Sequence, residues 1–349
     1  MKRALVVALI AACAPEASVT NAPPIVEPTA SGVVNPRLLR RFTPVRDELV
    51  AGAVPTRAQI DLGRMLFFDP RLSRERDVSC NTCHELDHYG VDGKSRSVGT
   101  GGTLGRRNAP TVFHAAGAIA NFWDGRAADV EAQATSPILG DEMDMPSAAA
   151  VERTLRALPG YVDAFRAAFP ADDAITLADA GRALGAFERG LVTPSRWDRY
   201  LAGDRAALTR SEITGLKTFS DAGCITCHTG ELVGGSMFQK VGVAAPWPSQ
   251  SDRGRVQVTQ LADDDMVFRV PSLRDVARTG PYFHDGSVAN LADAVRLMAR
   301  YQVGEELSDD DVAAIVAWLG TLTGELPTTY IARPELPGDD STGSRRGRL

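Results

Sequence analysis

Two five-residue stretches constrain this chain more than any other feature. Cys80-Asn81-Thr82-Cys83-His84 and Cys224-Ile225-Thr226-Cys227-His228 share the pattern Cys-x-x-Cys-His, one in each half of a 349-residue sequence. A Cys-x-x-Cys loop is short for a structural disulfide, and a disulfide leaves the following His unexplained. A four-cysteine zinc site expects its pairs about 15–20 residues apart, not in opposite halves of a chain. The pattern fits covalent c-type haem, in which two thiols add to the porphyrin vinyls and the adjacent imidazole reaches the iron. Two motifs therefore predict two haems, attached through Cys80, Cys83 and His84 and through Cys224, Cys227 and His228.

The rest of the chain suits that reading. An apolar fraction of 44% can support real cores, and a mixed-sign net charge of −6 leaves no footprint for nucleic acid or anionic lipid. Aromatic residues are few while Gly and Pro are frequent, so helices joined by long turns are expected, with few short strands. No apolar run reaches the roughly 20 residues needed to cross a bilayer.

At the N-terminus, Lys2 and Arg3 precede a short apolar stretch from Ala4 to Ala12. This reads as an export signal over 1–12, and Ile10-Ala11-Ala12-Cys13 has the shape of a lipobox in which Cys13 becomes acylated. An ordinary cleaved signal is the alternative. Either exports the chain; the first places it in the periplasm, anchored to the outer membrane. Residues 13–36 are rich in Pro, Ala and Thr and suit a flexible tether.

A helical apolar rhythm over 57–73 leads to the first motif, and "TRSEITGLKTFSDAGC" repeats the arrangement before the second. The predicted architecture is mainly α: two cytochrome c-like domains over 37–206 and 207–335, then a disordered polar tail over 336–349.

The sixth ligand of each iron separates electron carriers from catalysts, because a second strong ligand closes the site and Met raises its potential. Only five histidines exist. His84 and His228 are the proximal ligands. On a helix continuing past His84, His88 would project from the same side of the haem and is expected at the surface. His114 is expected to be structural, and His284 sits in a turn-rich segment as a hydrogen-bonding or propionate-side residue. Leu291, Val295 and Met298 share one helix face, a periodicity that describes a core Met as well as an iron ligand.

The segments "CNTCH", "RRNAPTVFHAA", "NFWDGRAADVEAQATSPIL", "DEMDMPS", "FRVPSLRDVARTGPYFHDGSV" and "ADAVRLMARYQVG" resemble the bacterial di-haem cytochrome c peroxidase family, which includes the MauG-type maturation enzymes. That resemblance implies that Met298 binds the second haem, where the maturation enzymes carry Tyr. It implies that Gln133 and Glu142 line the distal pocket and that Trp123 lies between the haems. It also implies a calcium ion held by Asn108 and the carbonyls of Thr279 and Pro281, a mixed oxygen set suited to calcium. Family members are often homodimers. Many place a capping His after a Gly downstream of the first motif, but here "RSVGTGG" puts Thr100 there. Thr is not a competent haem ligand, so the first haem is expected to be open at rest, with His114 the only spare imidazole that could fill the place.

The expected activity is reduction of hydrogen peroxide, with electrons from a small cytochrome c or a copper protein. Glu142, aided by Gln133, would move a proton between the peroxide oxygens from a partly dry pocket. Two rivals are oxidation of an organic or protein substrate, as in the MauG-type enzymes, and a non-catalytic di-haem electron carrier with both irons closed.

Overall fold

The computed structural model describes residues 34–49 and 53–338. The expected export signal, Cys13, most of the tether and residues 339–349 lie outside the described residues. Those described are mainly helical. The helices are α1 (Pro36–Leu39), α2 (Arg57–Phe68), α3 (Cys80–Cys83), α4 (Val130–Leu139), α5 (Ala148–Arg156) and α6 (Pro159–Ala168), then α7 (Leu177–Glu188), α8 (Arg196–Leu201), α9 (Arg210–Asp221), α10 (Val256–Thr259), α11 (Leu291–Leu297) and α12 (Asp309–Gly320). A two-stranded antiparallel sheet pairs β1 (Phe238–Lys240) with β2 (Val267–Arg269), Gln239 opposite Phe268.

The helices that lead into the two Cys motifs are built alike. Each begins with a capping box: Thr56 with Gln59 before α2, and Thr209 with Glu212 before α9. In each box the Thr hydroxyl accepts an amide of the first turn while the longer side chain accepts the amide of the Thr, satisfying two otherwise orphaned donors. Each helix then carries a glycine where another helix crosses. A β-carbon on Gly63 would collide with the Ala183 carbonyl of α7 and stand 2.9 Å from the Phe187 Cβ. A β-carbon on Gly215 would collide with the Ala314 carbonyl of α12 and stand 3.0 Å from the Trp318 Cβ. The repeat of helix then motif, visible in sequence, therefore extends to the partner helix and to the aromatic residue four positions beyond the contact.

Two apolar clusters result. The first gathers Leu62, Leu66, Phe67, Tyr161, Leu184 and Phe187. The second gathers Trp197, Leu216, Phe219, Ile315 and Trp318, with Phe219 and Trp318 ring centres 4.6 Å apart. Cutting Phe187 or Trp318 to Ala would cost about 3–5 kcal/mol.

The clusters do not divide the chain at one point. Val34 and Phe42 pack in the second, as do Trp197 and Tyr200, whereas Ile331 and Leu336 return to the first. A single cut near 206 misses this interleaving, because sequence position carries no information on which core a terminal segment joins. Leu336, the first residue of the expected tail, is buried.

Candidate active site

Both motifs open onto one continuous cavity of about 1240 Å³, more than the roughly 300–1,000 Å³ of a usual small-molecule site. Its wall includes Cys80, Cys83, His84, Cys224, Cys227 and His228. No disulfide joins these four cysteines, and among the described residues no group of three or more His, Cys, Asp or Glu could hold a metal ion. Burial pushes the Cys80 thiol up to about 12 and the Cys224 thiol up to about 11. Neither favours the thiolate that zinc binding or disulfide exchange requires.

Each motif folds as a single turn that presents its imidazole. α3 runs Cys80–Cys83, and a 3₁₀ turn runs Cys224–Thr226. The amide of each histidine donates to the carbonyl of the first Cys: His84 to Cys80 at 3.0 Å, His228 to Cys224 at 3.1 Å. Nδ1 of His84 lies 3.2 Å from the Gly90 carbonyl oxygen, and Nδ1 of His228 lies 3.2 Å from that of Val233. A carbonyl can only accept, so Nδ1 carries the proton and Nε2 is left bare as a donor atom. Burial lowers both imidazoles, His228 to about 4, which keeps them neutral. Gly234 abuts the Pro271 carbonyl and Nδ1 of His228 so closely that no side chain fits. These features fit a covalently held porphyrin at each motif.

Met298 opens a π-helical turn, Met298–Val303, that continues α11. Single π turns are frequent at functional sites. Leu291, Val295 and Met298 share a face as their spacing implied, but that face lines the cavity together with His228. Leu291 and Val295 also pack against the second core, whereas Met298 is not part of it.

Gln133 on α4 is half-buried and lines the same cavity, as does Glu142. Glu142 is exposed rather than held in a dry pocket, with Oε2 2.7 Å from where a β-carbon on Gly140 would stand. Its carbonyl accepts the Thr100 amide at 2.8 Å, which ties it to the 99–104 loop. Trp123 also lines the cavity, its indole N–H donating to the Asn108 carbonyl at 2.9 Å. His284 stacks on Phe268 at 4.3 Å and meets Trp123 edge-on at 6.4 Å. Asn108, Thr279 and Pro281 all lie along this cavity, and the Asn108 side chain donates to the Lys94 carbonyl at 2.9 Å.

The remaining histidines sit in different surroundings. His114 is buried and αL, its Nε2 accepting the Thr193 amide at 3.1 Å and its Nδ1 3.6 Å from Asp275. Burial depresses it to about 3. His114 lines the cavity and its Nδ1 has no hydrogen-bond partner, but with Nε2 accepting the Thr193 amide Nδ1 carries the ring proton, so neither nitrogen offers a bare lone pair. His88 is exposed, but α3 ends at Cys83 and a separate 3₁₀ turn, Leu86–His88, carries it, so no continuing helix sets its direction. Buried charged residues on the cavity wall went unread in the sequence, among them Glu188 and Arg269. Glu188 follows Ala180 and Leu184 at helical spacing on the buried face of α7, a detectable signal; a single Arg in a three-residue strand gives none.

The di-haem cytochrome c peroxidase family model matches residues 57–206. Cytochrome c551 peroxidase of Pseudomonas aeruginosa is 44% identical over 87% of this chain and 90% of that protein. The chain belongs to the di-haem cytochrome c peroxidase family. Cytochrome c551 peroxidase of Nitrosomonas europaea is 41% identical over 82% of this chain and 85% of that protein. Methylamine utilization protein MauG of Methylorubrum extorquens is 36% identical over 81% of this chain and 82% of that one. A solved structure described as a MauG-like protein associated with microbial copper homeostasis matches with a TM-score of 0.72 at 29% identity, covering 84% of this chain and 96% of that chain.

Proposed function

We propose that this protein is a di-haem cytochrome c peroxidase that reduces hydrogen peroxide to water with electrons from a small c-type cytochrome or cupredoxin. The observation that carries the reading is the shared cavity: two Cys-x-x-Cys-His turns, each with its imidazole tautomer set by a carbonyl, open onto a wall that also holds Gln133 and Glu142. Cys80, Cys83 and His84 would hold one haem; Cys224, Cys227, His228 and Met298 would hold the other, one in each of two cytochrome c-like units. When bound, the iron supplies the redox chemistry that cleaves the O–O bond.

The chain's own groups supply binding and proton movement. Gln133 orients peroxide by hydrogen bonding. The Glu142 carboxylate takes a proton from one oxygen and returns it to the other, the general acid–base role that carboxyl groups perform in such cleavages. Trp123, fixed on Asn108, is the aromatic bridge between the two redox sites. A thioether at Met298 suits an electron-receiving site of high potential. Asn108 with the carbonyls of Thr279 and Pro281 would hold calcium at the junction. The protein would work in the periplasm, anchored through Cys13.

The test is oxidation of reduced cytochrome c by peroxide, with electron paramagnetic resonance of the oxidised protein. Turnover together with one high-spin and one low-spin ferric centre is expected. Two low-spin centres without turnover would leave an electron carrier instead. Thr100 in place of a capping His also suits a MauG-like oxidase; peroxide-dependent oxidation of an organic or protein substrate, with inert cytochrome c, would select that reading.

A further inference from the structure

Arg269 is a cation out of place. It is the last residue of β2, about nine-tenths buried, and it lines the cavity between the two motifs. Its backbone amide donates to the Trp123 carbonyl at 2.8 Å, and its Nε reaches the Phe122 carbonyl at 3.4 Å. No carboxylate of the described residues lies within ion-pair range of it. Other deeply placed arginines contrast with this: Arg107 pairs with Asp124 and Asp252, Arg189 with Glu131, and Arg274 with Asp198 through two bonds of 2.7 and 2.8 Å. Burial alone pulls Arg269 down to about 10, still far above neutrality, so it stays charged. An uncompensated buried charge costs several kcal/mol. An anion held in the cavity at this place would compensate it.

The rest of the wall says which way that anion points. Glu188 is fully enclosed, lines the same cavity, and its Oε2 has no hydrogen-bond partner. It is close enough to Cys80 to influence that thiol. Burial keeps that carboxyl protonated and neutral, so it offers a ligand's carboxylate edge no compensating charge, whereas Arg269 does. A c-type porphyrin has one edge of vinyl-derived thioethers and an opposite edge of two propionates.

We propose that Arg269 is the counter-ion of haem propionate, setting the cofactor with its carboxylate edge toward Arg269 and Trp123 and, at the first motif, its thioether edge toward Cys80 and Glu188. This rests on the two-haem reading. Arg269 touches the cofactor's substituent and not the reacting oxygen atoms, so its role is to bind, orient and tune. A guanidinium beside the porphyrin opposes the extra positive charge of ferric iron and so raises the reduction potential; it also keeps the propionate ionised.

The experiment is a spectroelectrochemical titration of the holoprotein and of Arg269→Gln and Arg269→Lys, each after its covalent haem content is measured. Two haems per chain in all three proteins, a lower midpoint potential for at least one haem in Arg269→Gln, and partial recovery in Arg269→Lys are expected. Unchanged potentials at both haems with full haem content would overturn the assignment. Fewer than two covalent haems in the parent protein would instead overturn the reading beneath it. Loss of folding in Arg269→Gln leaves Arg269→Lys to decide, because a merely structural cation shifts thermal stability without moving a potential.

Discussion

The Thr100 hydroxyl donates a 2.6 Å hydrogen bond to Oδ1 of Asp77, while Oδ2 of the same carboxylate accepts the Gly101 amide at 3.2 Å. Thr100 is buried, and although Gly99 and Thr103 line the cavity, Thr100 does not. Thr100, which stands where the family resemblance implies a capping imidazole, is here fastened to Asp77 and off the cavity wall. Chiefly through the Thr100 bond, Asp77 is held below the usual carboxylate range, so the fastening persists through neutral and mildly acid pH and is lost only when Asp77 protonates. Asp77→Ala should speed hydrogen exchange across residues 97–104, read by mass spectrometry. Exchange equal to that of the parent protein would show that the loop is held by something else.

Glu142 receives two constraints from this same loop: its carbonyl accepts the Thr100 amide, and a β-carbon on Gly99 would stand 2.6 Å from its carbonyl oxygen. The loop is thus a template for the backbone that carries the proposed proton shuttle. Glu142→Gln should reduce kcat for peroxide by about 10²–10⁴-fold, the usual worth of a positioned acid–base group. Haem content and both potentials should be unchanged. A kcat within threefold of the parent's would remove Glu142 from the proton path.

The Cys-x-x-Cys-His motifs and the helix before each were legible because their chemistry is local: spacing, capping and type; Gln133, Glu142 and Trp123 came only from the family resemblance, and all three line the cavity. What escaped is pairwise and distant. Nothing near Thr100 announces Asp77, 23 positions earlier, as its partner. Nothing near His114 announces Thr193, whose amide occupies its Nε2. Met298 shows the limit of periodicity. Its spacing with Leu291 and Val295 names a shared face, but whether that face meets side chains or a cavity depends on the packing of α11 against α12. The two-core interleaving escaped for a similar reason, since Val34 and Leu336 choose their cores through contacts with residues far along the chain.

The π turn at Met298 offers the next test. Replacing the thioether with imidazole by Met298→His should lower the midpoint potential of the His228 haem, because a Met ligand raises potential relative to a second nitrogen donor. The first haem should be unmoved. A redox titration in which the high-potential centre keeps its value would return Met298 to a packing role.

Glu188 predicts a pH dependence with a definite sign. Burial, reinforced by Glu131 and only partly offset by Arg189, raises its carboxyl to about 8 from an ordinary 4.5. The folded protein therefore keeps Glu188 protonated where the unfolded chain has already lost the proton. Below the unfolded value this group costs the fold nothing in ionisation; as pH climbs from about 4.5 to about 8 the unfolded state gains, and stability is progressively lost. In the limit of full burial the loss is on the order of 4 kcal/mol. Its facing neighbours cannot relieve this, since Glu131 is itself held by Arg189 at 2.5 Å. Glu188→Gln keeps the shape and removes the titration. Thermal unfolding of the holoprotein should show the variant near the parent at pH 5 and increasingly above it toward pH 8. Parallel curves across that range would mean that Glu188 is ionised in the folded protein and has found a cation.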